Sequence, residues 1–276
     1  MKVEKFNVFG NPIKHSLSPE IYFLFSLDTG VCYSYGRVLV LLHEFEEKLK
    51  YFFSSGGLGA NITLPFKERA FSLCDVCTDR ALLSKTVNTI KKMEDGSLLG
   101  DNTDGVGLIY DLKRLCMINK GSRVLLFGAG GASRGIIPSL LDYDCKIFLS
   151  NRTLSRAKDL KKFYQNLGEI EVVSFTSLED IHDINLIVNA TSVGVSDEMF
   201  VFPQSIIHSN IFCYDLFYKS GNYDTSFISY CRKKGVVKFA DGIGMLVSQA
   251  AYSFNLWHNI FPSVLPVIEK LKFNYL

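Results

Sequence analysis

The most informative stretch of this chain reads Val124-Leu125-Leu126-Phe127-Gly128-Ala129-Gly130-Gly131-Ala132-Ser133, an apolar run that enters a glycine-rich turn. A helix-like segment follows, and a second apolar strand is expected from Lys146 to Ser150. This order of strand, glycine turn, helix and strand is typical of a dinucleotide-binding unit. Gly128 permits the tight turn, Gly130 lets the backbone approach a pyrophosphate, and the helix start offers free N–H groups. Ser133 departs from the usual Gly or Ala, and a purely structural turn is the alternative.

The residues after the second strand indicate which dinucleotide is bound. They read Asn151-Arg152-Thr153, with Arg156 one helical turn further along. An NAD site places an acidic residue at this strand end to hold the ribose hydroxyls, and a carboxylate there repels a 2′-phosphate. Two guanidinium groups attract that phosphate instead. The sequence therefore predicts NADP(H), and a surface arginine pair without a ligand is the alternative.

Composition excludes several classes of protein. The 276 residues are 47% hydrophobic, with 22 Phe and 13 Tyr, which excludes a disordered chain and suggests two globular domains. The net charge is +2 and like charges form no blocks, so neither nucleic acid nor an anionic membrane is an expected partner. The first residues lack the apolar core of a signal peptide, and the longest aliphatic run, residues 38–42, is too short to span a bilayer. We expect a cytoplasmic protein.

The cysteines predict neither disulfides nor a metal site. Seven are scattered along the chain, an odd count that does not form a disulfide framework. Cys74 and Cys77 form a C-x-x-C pattern, which is compatible with a redox pair or half a zinc site. Because no second Cys or His pair stands nearby, we interpret them as two ordinary thiols on a helix.

The whole chain has α/β order, and we expect two domains: an N-terminal α/β substrate domain and a doubly wound Rossmann-type NADP-binding domain. The substrate-binding and catalytic domain is placed at residues 1–104 and completed by C-terminal helices at 242–276, and the NADP-binding domain at 105–241. Ligands are expected in the cleft between them. The expected strands are 5–9, 32–40, 58–63, 124–127, 146–150, 171–175, 186–189, 211–215 and 236–239, with a hairpin at 91–99 that turns at Asp95-Gly96. The expected helices are 19–28, 43–53, 106–115, 155–166, 226–234 and 245–258.

Two polar clusters at junctions between elements carry candidate catalytic groups. Addition of a hydride to a carbonyl requires an acid that protonates the developing charge. Lys67 follows the strand that ends at Thr63, and Asp104 closes the cluster that starts at Asp101. A Lys and an Asp brought together could share a proton and hold a hydroxyl group. Alternatively each is a solvated charge, or Asp104 caps the helix that starts at Val106.

The N-terminal segment offers a candidate anion site. Ser16 and Ser18 are two residues apart in a segment that we expect Pro19 to keep extended, so both hydroxyl groups can converge on one anionic group. The alternative is that Ser18 caps a helix whose first position is Pro19. Both interpretations can hold together.

Taken in order, these stretches resemble the shikimate dehydrogenase family nearly from end to end. The matching segments are Gly-Asn-Pro-Ile-Lys-His-Ser-Leu-Ser-Pro at 10–19, Gly-Ala-Asn-Ile-Thr-Leu-Pro-Phe-Lys at 59–67, Thr-Val-Asn-Thr at 86–89, Gly-Asp-Asn-Thr-Asp-Gly at 100–105, residues 128–134, Asn-Arg-Thr at 151–153, Asn-Ala-Thr-Ser at 189–192, Tyr-Asp at 214–215 and Asp-Gly-Ile-Gly-Met-Leu at 241–246.

This resemblance implies reversible, NADP-dependent reduction of 3-dehydroshikimate to shikimate, a step of aromatic amino-acid biosynthesis. It implies that Lys67 is the catalytic acid and base, with Asp104 beside it. The implied substrate-binding residues are Ser16, Ser18, Thr63, Asn88, Asp104, Tyr218 and Gln249. The implied cofactor-binding residues are Gly128, Ala129, Gly130, Gly131, Ala132, Asn151, Arg152, Thr153, Arg156, Leu216, Gly242 and Asp79. Leu216 stands where a Met is common, and no physical reason supports Asp79.

Two alternatives remain open beside this interpretation. A quinate/shikimate dehydrogenase that uses NAD shares much of the fold but should carry an acid in place of the Arg152 and Arg156 pair. A non-catalytic regulator that binds the metabolite should have lost Lys67 or Asp104, and both are present. The sequence is compatible with a monomer or a homodimer.

Overall fold

The computed structural model describes residues 4–191, 202–203, 206–219 and 223–273, in which strands and helices alternate. The strands are β1 (Glu4–Gly10), β2 (Tyr33–Leu39), β3 (Gly57–Ile62), β4 (Val76–Cys77), β5 (Thr89–Lys92), β6 (Leu98–Asp101), β7 (Arg123–Phe127), β8 (Lys146–Ser150), β9 (Ile170–Val172), β10 (Leu186–Asn189), β11 (Phe212–Asp215) and β12 (Lys238–Ala240). The helices are α1 (Ser18–Thr29), α2 (Phe45–Ser54), α3 (Lys67–Phe71), α4 (Asp79–Ser84), α5 (Asp104–Arg114), α6 (Gly131–Asp142), α7 (Leu154–Tyr164), α8 (Ser226–Lys233), α9 (Ile243–His258) and α10 (Val264–Phe273), and a 3₁₀ helix covers Phe175–Asp180.

The chain divides into two compact units. Unit 1 comprises Met1–Gly107 with Val247–Glu269, and unit 2 comprises Leu108–Leu246 with Lys270–Leu276. The change from one unit to the other falls inside α5, α9 and α10. Each unit is built around its own sheet, as expected for an α/β chain of two domains. The domain limits expected from the sequence stay a prediction.

Unit 1 contains a mixed sheet in the order β2-β1-β3-β5-β6-β4. Strands β2, β1 and β3 are parallel, and β5 reverses direction against both β3 and β6. The β5–β6 hairpin turns at Gly96, whose φ of +90° requires glycine, so the hairpin predicted at Asp95-Gly96 is confirmed. A core of aromatic and aliphatic side chains, including Phe9, Phe45 and Phe66, packs on this sheet.

Unit 2 contains a parallel sheet in the order β12-β11-β10-β7-β8-β9, the doubly wound order of dinucleotide-binding domains. The apolar run of β7 reflects burial on both faces. Val124 and Leu126 belong to one core cluster, and Leu125 and Phe127 to the other. The direction of winding reverses between β7 and β10, and ligands of such sheets bind at the carboxyl ends of the strands beside that reversal.

Helix α6 contains Pro138, which has no N–H to donate to the carbonyl of Arg134 four residues earlier. The hydroxyl of Tyr164, the last residue of α7, donates to that carbonyl at 3.0 Å. Tyr164 is buried, so one side chain both fills the core and satisfies the backbone group that proline leaves unpaired.

Several local predictions are wrong. Cys74 lies in the loop after α3 and Cys77 in β4, so the two thiols are not on a helix. Burial raises the pKa of both thiols, that of Cys74 to about 12, which keeps them protonated and poorly reactive. The strand expected at 171–175 ends at Val172, because Ser174 caps a 3₁₀ helix through Ser177 N–H. The last strand of unit 2 starts two residues later than expected, at Lys238.

None of the helices within the described residues combines the length and apolar character that a membrane crossing requires. In the same residues, no group of three or more His, Cys, Asp or Glu side chains is arranged to hold a metal ion.

Candidate active site

Lys67 and Asp104 form an ion pair in unit 1. The Lys67 Nζ donates to Asp104 Oδ2 at 2.6 Å, and the two side chains are 15% and 7% exposed. The pair is therefore largely shielded from water while the ammonium group keeps some accessible surface. A lysine held in this way can donate a proton to a ligand oxygen, and the carboxylate can fix its position.

Backbone geometry fixes both ends of this pair. Lys67 is the first residue of α3, and its carbonyl accepts the N–H of Val87 at 2.9 Å. Asp104 is the first residue of α5, and its N–H donates to Asn102 Oδ1 at 3.0 Å. The alternative interpretation, in which Asp104 caps a helix that starts at Val106, is therefore wrong. The Asp104 carboxylate lies in the first turn of α5, where the helix dipole stabilises negative charge.

Asn88 connects the carboxylate to a polar layer behind it. Its Nδ2, with two protons, lies 2.8 Å from Asp104 Oδ1, 2.9 Å from Thr103 Oγ1 and 3.3 Å from Gln249 Oε1, and these three acceptors share its donors. Its Oδ1 accepts the N–H of Thr103 at 2.9 Å. Gln249, on α9, is placed by close packing against α5, because a Cβ at Gly107 would lie 2.7 Å from Gln249 Cβ. Asn88, Asp104 and Gln249 thus form one connected polar group.

The two N-terminal serines are also in contact. Ser16 Oγ donates to Ser18 Oγ at 3.1 Å, and the Arg37 guanidinium donates to the Ser16 carbonyl at 2.6 and 2.8 Å. The segment is a turn rather than extended, because Ser16 N–H donates to the Ile13 carbonyl and Leu17 has helical φ and ψ. Ser18 does not cap α1 either: Leu17 occupies the cap position, and its side chain makes no capping hydrogen bond.

The remaining residues expected at the substrate fall in both units. Thr63 follows β3, where its N–H donates to the Phe9 carbonyl at 2.9 Å, and it is half-buried. Tyr218 lies in unit 2, after β11, so its role beside the unit 1 residues stays a prediction. Asp79 is the exposed first residue of α4 in unit 1, and its role at the cofactor likewise stays a prediction.

The glycine turn of unit 2 has the shape that a phosphate site requires. Gly128 has a φ of +110°, and a Cβ there would lie 2.7 Å from the Ala190 carbonyl oxygen. At Gly130 and Gly131 a Cβ would meet no atom of the described residues within 4 Å, so the backbone borders open space. Gly130 occupies the cap position of α6 without a side-chain cap, which leaves the first N–H groups available to an anion.

Ser133 stabilises the turn at the position where it departs from the glycine pattern. It is fully buried, and its Oγ donates to the Gly128 carbonyl at 2.7 Å. The Ser133 hydroxyl therefore links the first turn of α6 to the glycine turn by a hydrogen bond that neither Gly nor Ala could form.

The loop after β8 is tied to the glycine turn through Asn151. Its Oδ1 accepts the N–H of Ala129 at 3.2 Å, and its Nδ2 donates to the Thr153 carbonyl at 2.8 Å. Arg152 and Arg156 are exposed beside it. No acidic residue stands between positions 151 and 156, so the charge of this loop is positive.

Two further segments approach each other at the end of β11. Asp215 is buried and accepts hydrogen bonds from Asn189 Nδ2 at 2.9 Å, Thr225 Oγ1 at 2.5 Å and Phe217 N–H at 3.1 Å. Burial raises its pKa to about 6 although these donors favour the charged form. Nearby, a Cβ at Gly242 would clash with the Leu216 carbonyl, so only glycine allows these backbones to meet.

Two family models match the chain. The first, described as the shikimate dehydrogenase substrate binding domain, matches residues 8–90, and the second, described as shikimate / quinate 5-dehydrogenase, matches residues 113–201. Together they cover more than half of the sequence. The chain belongs to the shikimate dehydrogenase family. Its activity class is therefore that of an oxidoreductase.

Solved structures of family members and a related enzyme resemble the chain over nearly its full length. An Ael1 enzyme from Pseudomonas putida is 34% identical with a TM-score of 0.89, over 98% of each chain. A shikimate dehydrogenase from Aquifex aeolicus is 32% identical with a TM-score of 0.87, over 98% of this chain and 97% of that one. A shikimate 5-dehydrogenase from Thermus thermophilus, solved with NADP(H) and shikimate, is 30% identical with a TM-score of 0.85, over 98% of each chain.

The polar layer behind the Lys67–Asp104 pair is larger than the family motifs alone indicate. It includes buried Asn61, Thr89 and Ser253. Two side chains of β2 add to it: Tyr35 donates to Asn61, and Arg37 donates to the Ser16 carbonyl. Asn61 and Thr89 lie inside the family motifs at 59–67 and 86–89, but nothing in their spacing distinguishes them from ordinary strand residues. Ser253 is 164 residues from Thr89, and no local pattern links the two.

Proposed function

We propose that this protein catalyses the reversible reduction of 3-dehydroshikimate to shikimate with NADP(H) as cofactor. The observation that carries the proposal is the shielded Lys67–Asp104 pair, in a chain that belongs to the shikimate dehydrogenase family. Small hydroxylated acids offer few apolar atoms, so their binding must rest on converging hydroxyl and amide groups. The polar layer of unit 1 supplies groups of this kind.

Lys67 acts as the acid in the direction of reduction. When the ketone carbon accepts a hydride, its oxygen requires one proton, which the Lys67 ammonium group donates to give the product hydroxyl and a neutral amine. In the direction of oxidation, the neutral amine accepts that proton. Asp104 holds the Lys67 Nζ and presents its other oxygen to Asn88.

The substrate carboxylate is assigned to Ser16 and Ser18, whose hydroxyl groups lie 3.1 Å apart. The charge of the exposed Arg37 guanidinium, bound to the Ser16 carbonyl, adds favourable potential for an anion at this place. Thr63, Asn88, Tyr218 and Gln249 are assigned to the ring hydroxyl groups. Asn88 and Gln249 already share a hydrogen bond, so both amides present a fixed orientation to a ligand.

The glycine turn fits a dinucleotide, because open space faces Gly130 and Gly131 at the uncapped start of α6. When bound, the nicotinamide cofactor supplies or accepts the hydride. Ala129 and Ala132 are assigned to the loop around the pyrophosphate, and Asn151 joins this loop to the residues after β8. Leu216 and Gly242, whose backbones are in close contact, are also assigned to the cofactor site. Arg152, Thr153 and Arg156 would hold the 2′-phosphate, which favours NADP over NAD. The Thermus thermophilus relative was likewise solved with NADP(H).

One assay tests the activity and both specificities. Reduced nicotinamide is followed at 340 nm, the wavelength of its absorption band, with shikimate or quinate as substrate and NADP or NAD as cofactor. We expect the highest kcat/KM for the pair of shikimate and NADP. The second family model is described as shikimate / quinate 5-dehydrogenase, so preferred oxidation of quinate with NAD would favour that alternative function. Binding of shikimate without turnover would instead favour a regulator.

The catalytic assignment predicts the effect of Lys67→Ala. Loss of a general acid lowers kcat by about 100- to 10,000-fold, while the Kd of NADP, measured by fluorescence titration, should remain within about twofold. Lys48→Ala is the matched control, because it removes a surface Lys from a Lys48–Glu44 pair of the same unit. Near-native turnover of Lys67→Ala would remove Lys67 from the mechanism.

A further inference from the structure

Strand β2 lies at the edge of the unit 1 sheet and directs three polar side chains to one face. Tyr33, Tyr35 and Arg37 alternate along the strand, so their side chains share that face. The Tyr33 hydroxyl donates to the Tyr22 carbonyl, and Arg37 donates to the Ser16 carbonyl. Tyr35 stands between them and makes contacts of a different kind.

The hydroxyl group of Tyr35 contacts a buried side chain of the polar layer. It donates to Asn61 Oδ1 at 2.7 Å. The Tyr35 ring stacks on Tyr22 with centroids 4.1 Å apart and an interplanar angle of 15°. Burial raises the pKa of Tyr35, so the phenol stays protonated at neutral pH. A phenol has one proton, and that of Tyr35 is donated to Asn61 Oδ1.

This single proton sets the orientation of the Asn61 amide. Because Asn61 Oδ1 faces Tyr35, its Nδ2 is directed inward, to the Asn88 carbonyl at 3.2 Å and Thr89 Oγ1 at 3.2 Å. Thr89 Oγ1 in turn donates to Asn88 Oδ1 at 2.9 Å. With its Oδ1 occupied, Asn88 presents Nδ2 to Asp104 at 2.8 Å.

The hydrogen bonds therefore run without a break from Tyr35 to the ion pair. The sequence of groups is Tyr35, Asn61, Thr89, Asn88, Asp104 and Lys67. Along the buried part of this chain each amide has one satisfactory orientation, since a flipped amide would place two donors or two acceptors face to face.

We propose that Tyr35 is a positioning residue of the reaction: its hydroxyl group orients Asn61, and through Thr89 and Asn88 it holds Asp104 and Lys67 in place for proton transfer. This inference rests on the proposed function. Tyr35 acts through other side chains and is not itself assigned to the reacting atoms. Its loss leaves the buried acceptor Asn61 Oδ1 without its donor, so the Asn61 amide loses the contact that holds it against Thr89 and the Asn88 carbonyl.

The test compares Tyr35→Phe with Tyr33→Phe. Both variants lose one phenol hydroxyl from the same face of β2, and Tyr33 donates only to a backbone carbonyl. We expect Tyr35→Phe to lower kcat for shikimate oxidation by about tenfold, equivalent to about 1.4 kcal/mol, with the KM of NADP unchanged. Tyr33→Phe should keep the wild-type kcat. A merely structural role would lower the thermal midpoint of both variants and leave kcat alone.

Thr89→Val supplies a second arm, because it interrupts the same chain at the next side chain after Asn61 while nearly keeping the volume of the residue. If Tyr35 acts through Thr89, the double variant Tyr35→Phe/Thr89→Val should be no slower than the slower single variant, whereas Tyr33→Phe and Thr89→Val should act additively. Should Tyr35→Phe fail to fold, a tenfold fall of kcat in Thr89→Val alone supports the chain, and an unchanged kcat overturns it.

The outcomes separate the two proposals. A wild-type protein without shikimate oxidation contradicts the proposed function. An active wild-type protein in which Tyr35→Phe keeps the kcat of Tyr33→Phe, or in which Tyr35→Phe and Thr89→Val are additive, overturns the role of Tyr35 and leaves the proposed function intact.

Discussion

Arg152 is the residue whose charge should decide between the two nicotinamide cofactors. It is exposed after β8, next to Asn151, which binds the glycine turn through Ala129 N–H. A guanidinium group that binds a 2′-phosphate contributes about 1.5–3 kcal/mol. We therefore expect Arg152→Ala to raise the Kd of NADP by at least tenfold and to leave the Kd of NAD nearly unchanged, as measured by isothermal titration calorimetry.

Lys158→Ala is the control for this change, since Lys158 is also a cation exposed on α7. General loss of positive charge would weaken NADP binding equally in both variants. Equal weakening of NADP and NAD by Arg152→Ala would show that Arg152 does not bind the 2′-phosphate. The salt dependence should also be steeper for NADP than for NAD in the wild-type protein, because only NADP carries the extra phosphate charge.

In the turn before helix α6, two glycines are required for different reasons: Gly128 for the backbone conformation and Gly130 for the space beside it. Gly128 is required by its φ of +110° and by the Ala190 carbonyl, whereas Gly130 has an extended conformation beside open space. We expect Gly128→Ala to lower the free energy of unfolding by about 1–3 kcal/mol because of strain. Gly130→Ala should keep the stability and lose cofactor affinity, because its methyl group occupies space assigned to the pyrophosphate.

Urea unfolding and NADP titration of both variants check this pair of expectations. Comparable stability loss in both variants would show that the backbone at Gly130 also requires glycine, despite the open space beside it. Wild-type NADP affinity in Gly130→Ala would contradict the assignment of the turn directly. Ser133→Ala adds a third point, since removal of its bond to the Gly128 carbonyl should cost stability of about 1 kcal/mol.

Sequence patterns predicted the long, buried elements of this fold well. Strands β8 and β10 have the expected limits, because apolar runs between polar turns leave little ambiguity. Two short elements were not predicted: β4 has two residues and α4 has six, too few for a period to be visible. The end of β9 was placed too late because Val173 is buried and apolar although the strand has already ended.

The candidate catalytic residues were predictable from their motifs, whereas the residues that support them through hydrogen bonds were not. Lys67 and Asp104 stand at junctions between elements, where their residue types and positions indicate a catalytic role from the sequence alone. Tyr35 and Ser253 act through hydrogen bonds between segments that are distant in sequence. Such pairings depend on the register of β2 and the packing of α9, which one sequence does not specify locally.

At the scale of the whole molecule, one buried group in each unit should make stability depend on pH, with opposite signs in the two units. His258 of unit 1 is 8% exposed among Phe6, Tyr33 and Phe254, and its Nε2 has no hydrogen-bond partner in the described residues. Burial, aided by the positive charge of Lys91, lowers the pKa of His258 to about 4, despite Glu4 Oε2 at 3.8 Å. In unit 2, burial raises the pKa of Asp215 to about 6.

The signs follow from proton uptake. Between pH 4 and 6.5 the unfolded chain protonates His258 and the folded unit does not, so His258 makes unit 1 more stable as pH rises through this window. Asp215 keeps its proton in the folded state up to about pH 6 and loses it near 3.8 when unfolded. Its contribution to unit 2 therefore falls as pH rises from about 4 to 6. Each slope is at most about 1.4 kcal/mol per pH unit, the value for one proton.

Differences between variants isolate these two groups from the other carboxylates. The free energy of unfolding of the wild-type protein minus that of His258→Gln should increase from about pH 4.5 to 6.5 and level off above. The corresponding difference for Asp215→Asn should decrease between about pH 4.5 and 6. Urea unfolding followed by hydrogen exchange assigns each change to its unit, since amides of β3 and β7 report separately on the two sheets. A flat His258 difference would show that the ring is protonated or hydrated in the folded state, and equal slopes in both sheets would show that the units unfold as one.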